Sequence, residues 1–220
     1  MNVFIVFAHP EAKSFNGALK DVAVETLEKE GHKVVVSDLY RMNFRAAAGA
    51  GDFIKPENKD YLKMQTEQTK AYKEGSYADD LKAEMKKFEE ADLVIFNFPL
   101  WWFSLPAILK GWVDRVFAMG FAYGAGKGVY ENGAFPGKRA MLSFTTGGPA
   151  AAYGKTGKNG ELETILFHIH HGMFRFVGMD VLAPFIAWAP ARATDEERKK
   201  CLNDYSERLK KIFSEESMTW

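Results

Sequence analysis

The chain has 220 residues, of which 47% are apolar, enough to form the core of one α/β domain. Its 29 Lys and Arg residues balance 29 Asp and Glu residues, so no global charge favours nucleic acid or an anionic membrane. We therefore expect a small or neutral partner.

The amino terminus and the single cysteine bear on the location of the protein. The sequence begins with a strand-like segment that has no basic region before it, and no apolar run approaches the roughly 20 residues that span a bilayer. Cys201 has no second cysteine to pair with, which excludes an intrachain disulfide and fits a reducing compartment. We expect a cytoplasmic protein without membrane insertion.

Apolar runs that alternate with helical patterns predict a parallel sheet covered on both faces. The predicted strands cover residues 3–8, 33–37, 92–98, 139–145 and 179–186. The predicted helices cover residues 14–30, 78–90 and 106–119, a helix-like stretch before the fifth strand, and a final helix that opens at Thr194. Ser14 is typical of a helix N-cap and Gly31 of a helix end. Five strands and about five helices indicate a flavodoxin-like, doubly wound order in a single domain, residues 1–220.

Two segments, 43–75 and 121–137, are too long for ordinary connections between these elements. Loops of such length usually act as functional lids or as arms at an interface. We expect the same here.

The loop after the first strand contains His9 and the run Ser14-Phe15-Asn16-Gly17. A serine hydroxyl and the free amides at a helix start can hold a phosphate group. The same residues also fit a helix cap with no ligand, so this loop alone leaves both interpretations open.

The run Phe98-Pro99-Leu100-Trp101-Trp102-Phe103-Ser104 begins with the last residue of the third strand and then places three aromatic residues, Trp101, Trp102 and Phe103, where a connection is normally polar. They could form a wall for a flat ring, or they could only close the end of the sheet.

The loop after the fourth strand is Thr145-Thr146-Gly147-Gly148-Pro149, followed by Tyr153. It brings hydroxyls and backbone amides to the end of a strand, where open α/β sheets bind ligands. Gly154-Lys155-Thr156 is not a nucleotide phosphate loop, because that motif requires glycine where Pro149 stands. Together, the three loops offer phosphate binding, aromatic walls and donors for carbonyl oxygens, a combination that suits a flavin.

Four strings carry a resemblance to a known family: FAHPEAKSFNGALK, ADLVIFNFPLWWFSLPAILKGWVDRVF, FAYG and TTGGPAAAYGKTGKNG. They are similar to the NAD(P)H:quinone oxidoreductase (DT-diaphorase) family, which includes an enzyme that uses dihydronicotinamide riboside. The resemblance implies an FAD-containing homodimer that takes hydride from NAD(P)H or another dihydronicotinamide and passes two electrons to a quinone in a ping-pong cycle.

The resemblance also implies roles for single residues. The implied flavin contacts are His9, Ser14, Phe15, Asn16, Pro99, Leu100, Trp102, Phe103, Thr145, Thr146, Gly147, Gly148 and Tyr153. The implied catalytic residues are Tyr153, Asn159, Gly147 and Gly148. The residues expected to border the substrate cleft are Trp102, Tyr123, His171 and Phe176.

Asn159 stands where the NAD(P)H-using enzyme has a histidine and where the dihydronicotinamide riboside enzyme has asparagine. An amide can donate a hydrogen bond but cannot accept a net proton near neutral pH. The preferred dihydronicotinamide therefore stays open.

His168 and His171 would share one face of a helix, which is a spacing that metal ligands also use. No carboxylate or cysteine lies close in sequence, and the second metal histidine of the dihydronicotinamide riboside enzyme corresponds to Arg175. We expect no metal.

Two other functions compete with an enzyme. One is a regulatory flavoprotein subunit of a potassium efflux system, and the other is an electron carrier of the flavodoxin type. A carrier would expose its flavin edge among acidic residues, whereas this chain is neutral and surrounds the site with aromatic side chains.

Overall fold

A parallel sheet organises residues 1–219, the part of the chain that the computed structural model describes. Its strands are β1 Asn2–Phe7, β2 Lys33–Asp38, β3 Leu93–Pro99, β4 Arg139–Thr145, β5 Asp180–Val181 and β6 Phe185–Ala187. The order is β2-β1-β3-β4-β5, β6 also pairs with β4, and every pair is parallel. This is the flavodoxin-like doubly wound order, so the predicted fold is confirmed.

Residues 1–219 form six α-helices: α1 Phe15–Lys29, α2 Met64–Glu74, α3 Asp79–Glu90, α4 Ala107–Val116, α5 Leu162–Ile169 and α6 Asp195–Leu209. Alternate strand residues enter two separate cores, as in β3, where Ile95 packs with α1 and α6 while Phe96 packs with α3, α4 and α5. Alternation of this kind follows from the period of two in a strand. Among the described residues, no helix is both long and apolar enough to cross a membrane.

The helix ends follow the capping signals in the sequence. The Ser14 hydroxyl accepts a hydrogen bond from the Gly17 amide at 3.1 Å, and Gly31 adopts a φ of 80° just beyond the end of α1. At α6, Thr194 Oγ1 accepts from the Glu197 amide at 3.2 Å while Glu197 Oε2 accepts from the Thr194 amide at 2.7 Å. This reciprocal capping box confirms the predicted start of the last helix.

The prediction of one continuous fifth strand over residues 179–186 is wrong. The chain forms two short strands there, β5 and β6, separated by Leu182, Ala183 and Pro184. Proline has no amide to donate to a neighbouring strand. Arg208 also donates to the Pro184 carbonyl at 2.9 Å and to the Ala183 carbonyl at 2.5 Å, so these carbonyls face a side chain.

The segment 43–75 is not a loop throughout, since it contains α2. The helix lacks an apolar stripe, and its buried residues are Glu67, Gln68 and Ala71. Glu67 accepts hydrogen bonds from the Glu57 and Asn58 amides at 2.8 and 3.1 Å. Hydrophobic periodicity does not predict this helix, because polar contacts hold it in place.

Arg115 on α4 anchors this arm, defined as residues 43–75, to the core. Its guanidinium is 1% exposed and lies 2.9 Å from carboxylate oxygens of both Asp52 and Asp80. It also donates to the Arg45 carbonyl at 2.9 Å and stacks over the Phe44 ring at 4.7 Å. The buried charge is therefore matched by partners on the arm and on α3.

We expect Arg115→Met to lower the free energy of unfolding by about 3 kcal/mol, because it leaves the buried Asp52 carboxylate with fewer partners. Lys110→Ala removes a surface ion pair with Asp114 on the same helix and should change stability by less than about 1 kcal/mol. Urea unfolding of both variants at pH 7 compares the two, and equal losses would contradict the anchoring role.

Candidate active site

The parallel register brings the loops after β1, β3 and β4 to one edge of the sheet. The Ala8 amide donates to the Asn97 carbonyl at 2.9 Å, and the Leu100 amide donates to the Thr145 carbonyl at 2.9 Å. The end of β6 joins them, because the Thr146 amide donates to the Ala187 carbonyl at 3.1 Å. The residues predicted from three separate loops are thus neighbours.

The loop after β1 is shaped around His9 and the start of α1. The Glu11 amide lies 3.0 Å from His9 Nδ1, and the Glu11 carbonyl is also 3.0 Å from that nitrogen. The amide can only donate and the carbonyl can only accept, so these two contacts hold the His9 ring in place without fixing which ring nitrogen carries the proton. The first amides of α1 point out of the helix beside it, as an anion site requires.

Asn16 joins the first loop to the fourth. Its side chain is 2% exposed, and its Nδ2 donates to Thr145 Oγ1 at 2.8 Å. Thr146 Oγ1 donates to the Gly148 carbonyl at 2.8 Å and accepts from the Ala189 amide at 3.2 Å. The Asn16 bond fixes the first loop against the fourth, and the Thr146 bonds fix the fourth loop against the segment after β6. The side-chain NH2 group of Asn16 therefore acts within the protein.

The aromatic turn, which we define as Trp101–Ser104, presents its rings outward. Trp102 is 96% exposed, and the Ser104 amide donates to the Trp101 carbonyl at 3.0 Å. Trp102 and Phe103 have φ values of 50° and 60°, the pattern of a type I′ turn. Non-glycine residues in this region are strained by about 1–3 kcal/mol each, and such strain concentrates at functional sites.

Tyr153 and Asn159 approach the same point of the backbone at Gly148. A Cβ atom on Gly148 would lie 3.5 Å from Tyr153 Cε2 and 3.6 Å from Asn159 Nδ2. The Asn159 amide donates to the Ala152 carbonyl at 2.9 Å, and Gly157 packs so closely on that carbonyl that a Cβ would come within 2.4 Å. The loop is therefore folded on itself and holds both polar side chains together.

A cleft of about 520 Å³ extends from these loops along β6 and α6. Phe15 and Pro149 line its near side, and Trp188, Arg198 and their neighbours line the rest. The Trp188 ring also lies 5.3 Å from the Tyr153 ring, between centroids. The cleft begins at Phe15, next to the loop after β1 that could hold a phosphate. It therefore has room for a further group attached to that phosphate.

A second aromatic cluster, consisting of Tyr123, Tyr130, Phe167, His171 and Phe176, contains the other predicted substrate residues. The ring of Phe176 lies 6.2 Å from that of Tyr123 and 5.6 Å from that of Tyr130, between centroids. His171 lies 5.1 Å from Tyr130 and stacks on Phe167 at 4.6 Å. Tyr123, His171 and Phe176 are thus brought together, in a cluster of their own.

Residues 1–209 match the family described as having a flavodoxin-like fold. The human ribosyldihydronicotinamide dehydrogenase [quinone] is 50% identical over 215 residues, covering 97% of this chain and 93% of that protein. This chain belongs to the NAD(P)H:quinone oxidoreductase family.

Two further relatives agree with the assignment. Rat NAD(P)H dehydrogenase [quinone] 1 is 43% identical over 212 residues, which cover 96% of this chain and 77% of that protein. A Klebsiella pneumoniae structure described as a quinone reductase superposes with a TM-score of 0.94 at 42% identity, covering 99% of this chain and 86% of that one. Membership in the quinone oxidoreductase family confirms the oxidoreductase prediction and implies a flavin cofactor. A regulatory role beside a potassium efflux system stays a hypothesis.

The residues present fit a flavin. The helix start at Ser14 supplies amides for phosphates, the aromatic turn supplies a flat apolar surface, and Gly147 is open, since a Cβ there would meet nothing within 4 Å. Within residues 1–219, no group of three or more His, Cys, Asp or Glu side chains is arranged to hold a metal ion.

The sequence reasoning missed Trp188, Arg198 and Cys201, which line the cleft. Trp188 directly follows the end of β6. Its position at a strand end, where open α/β sheets bind ligands, is a signal that could have identified it from the sequence. Arg198 and Cys201 lie on α6 and reach the cleft only through helix packing. Burial raises the pKa of the Cys201 thiol, so it lines the cleft as a protonated group.

Proposed function

We propose that this chain is an FAD-dependent enzyme that transfers hydride from NAD(P)H, or a related dihydronicotinamide, and delivers two electrons to a quinone. The observation that carries the proposal is the meeting, at one sheet edge, of a phosphate-type helix start, the aromatic turn and the Tyr153–Asn159 pair. The relatives named for nicotinamide and quinone substrates support it.

FAD, and not FMN, is proposed because of the cleft beside α6. FMN ends at a phosphate, whereas FAD continues into a second nucleotide. Ser14, Phe15 and the amide of Asn16 would hold the phosphates, and the cleft of about 520 Å³ beyond Phe15 would take the adenosine. Pro99, Leu100, Trp102 and Phe103 would surround the ring system.

A bound flavin supplies the hydride acceptor and the two-electron donor. Tyr153, supported by Asn159, would donate a hydrogen bond where negative charge develops, and a preorganised donor of this kind stabilises a transition state. Gly147 leaves its backbone open at the same edge, and Gly148 packs against Tyr153 and Asn159. We expect donor and quinone to take turns in one cleft walled by Trp102, Tyr123 and Phe176, so initial-rate plots should be parallel lines.

We expect the purified protein to be yellow and to carry one FAD per chain. Heat release of the cofactor and its chromatographic identification are the direct test. FMN would show that the cleft beside α6 serves another purpose, and the absence of any flavin would remove the proposed function.

We expect a homodimer in which the aromatic cluster of one chain faces the aromatic turn of the other. Exposed apolar side chains on the arm, at Ile54, Tyr61, Leu62 and Tyr72, supply an interface of the required character. Light scattering should give the mass of two chains, and Ile54→Asp should weaken the dimer. Lys86→Asp on the outer face of α3 is the control, and a fully active monomer would contradict the proposal.

We expect Tyr153→Phe to slow the reductive half-reaction by about 10²-fold, because one preorganised donor is lost. With asparagine at position 159, the rate should show no histidine-like titration between pH 5 and 8 from that position. Asn159→His should introduce one near pH 6.5, with the faster rate on the acid side, since the imidazolium is the better donor.

Stopped-flow measurements across that pH range test the wild type and both variants, with Tyr40→Phe as a matched control in the turn after β2. An unchanged rate in Tyr153→Phe would exclude the donor role. Identical pH profiles for the wild type and Asn159→His would place position 159 outside the site.

A further inference from the structure

A side-chain hydrogen bond connects the aromatic turn to helix α5. Ser104 Oγ lies 3.0 Å from His168 Nε2, across a sequence separation of 64 residues. His168 lies neither in the loops described above nor in the second aromatic cluster, and the proposed chemistry does not use it.

The aromatic turn needs restraint, because Trp102 and Phe103 both occupy the left-handed region without being glycine. A turn with this strain persists only when its surroundings over-determine it. The ring contacts on its flanks are distant, with 6.3 Å between the centroids of Trp101 and His9 and 6.5 Å between those of Phe103 and Tyr153. The bond from Ser104 is directional and short, so it can select one turn geometry.

Helix α5 offers a rigid support for that bond. Leu166 and Ile169, on either side of His168, are buried in the core. The helix continues directly into a π-helical segment, His170–Arg175, whose end is fixed by the Phe176 amide donating to the His171 carbonyl at 3.0 Å. A side chain on a packed helix holds its position better than one on a loop.

We propose that His168 is a positioning residue that holds the aromatic turn, through Ser104, in the geometry that receives the isoalloxazine ring. Its effect on the turn follows from the contacts of this chain, and its effect on the cofactor rests on the proposed function. Either ring state sustains the bond, because a neutral Nε2 can accept from the hydroxyl and a protonated one can donate to it.

The test compares His168→Ala, Ser104→Ala and the double variant with the wild type. His168→Gln is the rescue variant, since a glutamine amide can hydrogen-bond to the same hydroxyl. His32→Ala, in the turn before β2, is the control for loss of a histidine that does not contact the aromatic turn. Hydrogen exchange of the peptide covering residues 100–105 is measured on each protein, and the dissociation constant of FAD is measured by fluorescence on dilution of each holoenzyme.

Loss of one such hydrogen bond should speed exchange of the Ser104 amide and raise the FAD dissociation constant, each about 3- to 10-fold. The double variant should be no worse than either single variant, because both remove the same bond. His168→Gln and His32→Ala should resemble the wild type.

Wild-type exchange in His168→Ala, additive losses in the double variant, or failure of His168→Gln to restore slow exchange would each overturn the proposal. If exchange responds as expected but the wild type binds no flavin, the positioning of the turn stands and the proposed function fails. The two ideas are therefore separable.

Discussion

Parallel pairing of β1, β3 and β4 is the constraint on which the site depends. Strands that run in one direction deliver all their carboxyl ends to one edge, and the buried register fixes how far each loop extends. Residues as distant in sequence as Asn16 and Thr145 can then share a 2.8 Å hydrogen bond. A shift of one residue in β3 would move Pro99 away from Thr145, its present partner, and would separate the aromatic turn from the glycine loop.

The apolar core supplies the stability that this edge does not. The central strands are buried on both faces, whereas the loops beyond them carry left-handed aromatic residues, exposed rings and backbone amides left open. Local strain of a few kcal/mol is sustained because it is small beside the burial of two cores. The arm likewise depends on a buried contact for its stability. The buried Arg115 guanidinium holds it against α4, while apolar side chains of the arm face outward.

The features that local chemistry determines could be predicted from the sequence. Apolar runs identified the strands, Ser14 and Thr194 identified helix starts, and the strand order placed the three chemically rich loops at one edge of the sheet. Helix α2 and the cleft lined by Arg198 could not be predicted, because each depends on contacts between distant segments. The interruption at Pro184 has a local cause, the missing proline amide, beside the distant contact of Arg208. Residue roles at the site came from family resemblance, and those roles, the single domain and the cytoplasmic location stay predictions.

The two left-handed aromatic residues have a consequence for protein engineering. A type I′ turn is most stable with Asn-Gly at its centre, so replacing Trp102 and Phe103 by that pair would relieve strain, and the almost fully exposed Trp102 ring buries little surface that could be lost. A laboratory selection for heat resistance alone would therefore favour variants that lose these rings early. Directed evolution of this scaffold needs a simultaneous screen for the yellow colour of bound flavin or for turnover. Without it, selection for thermal stability would remove the aromatic side chains of the turn.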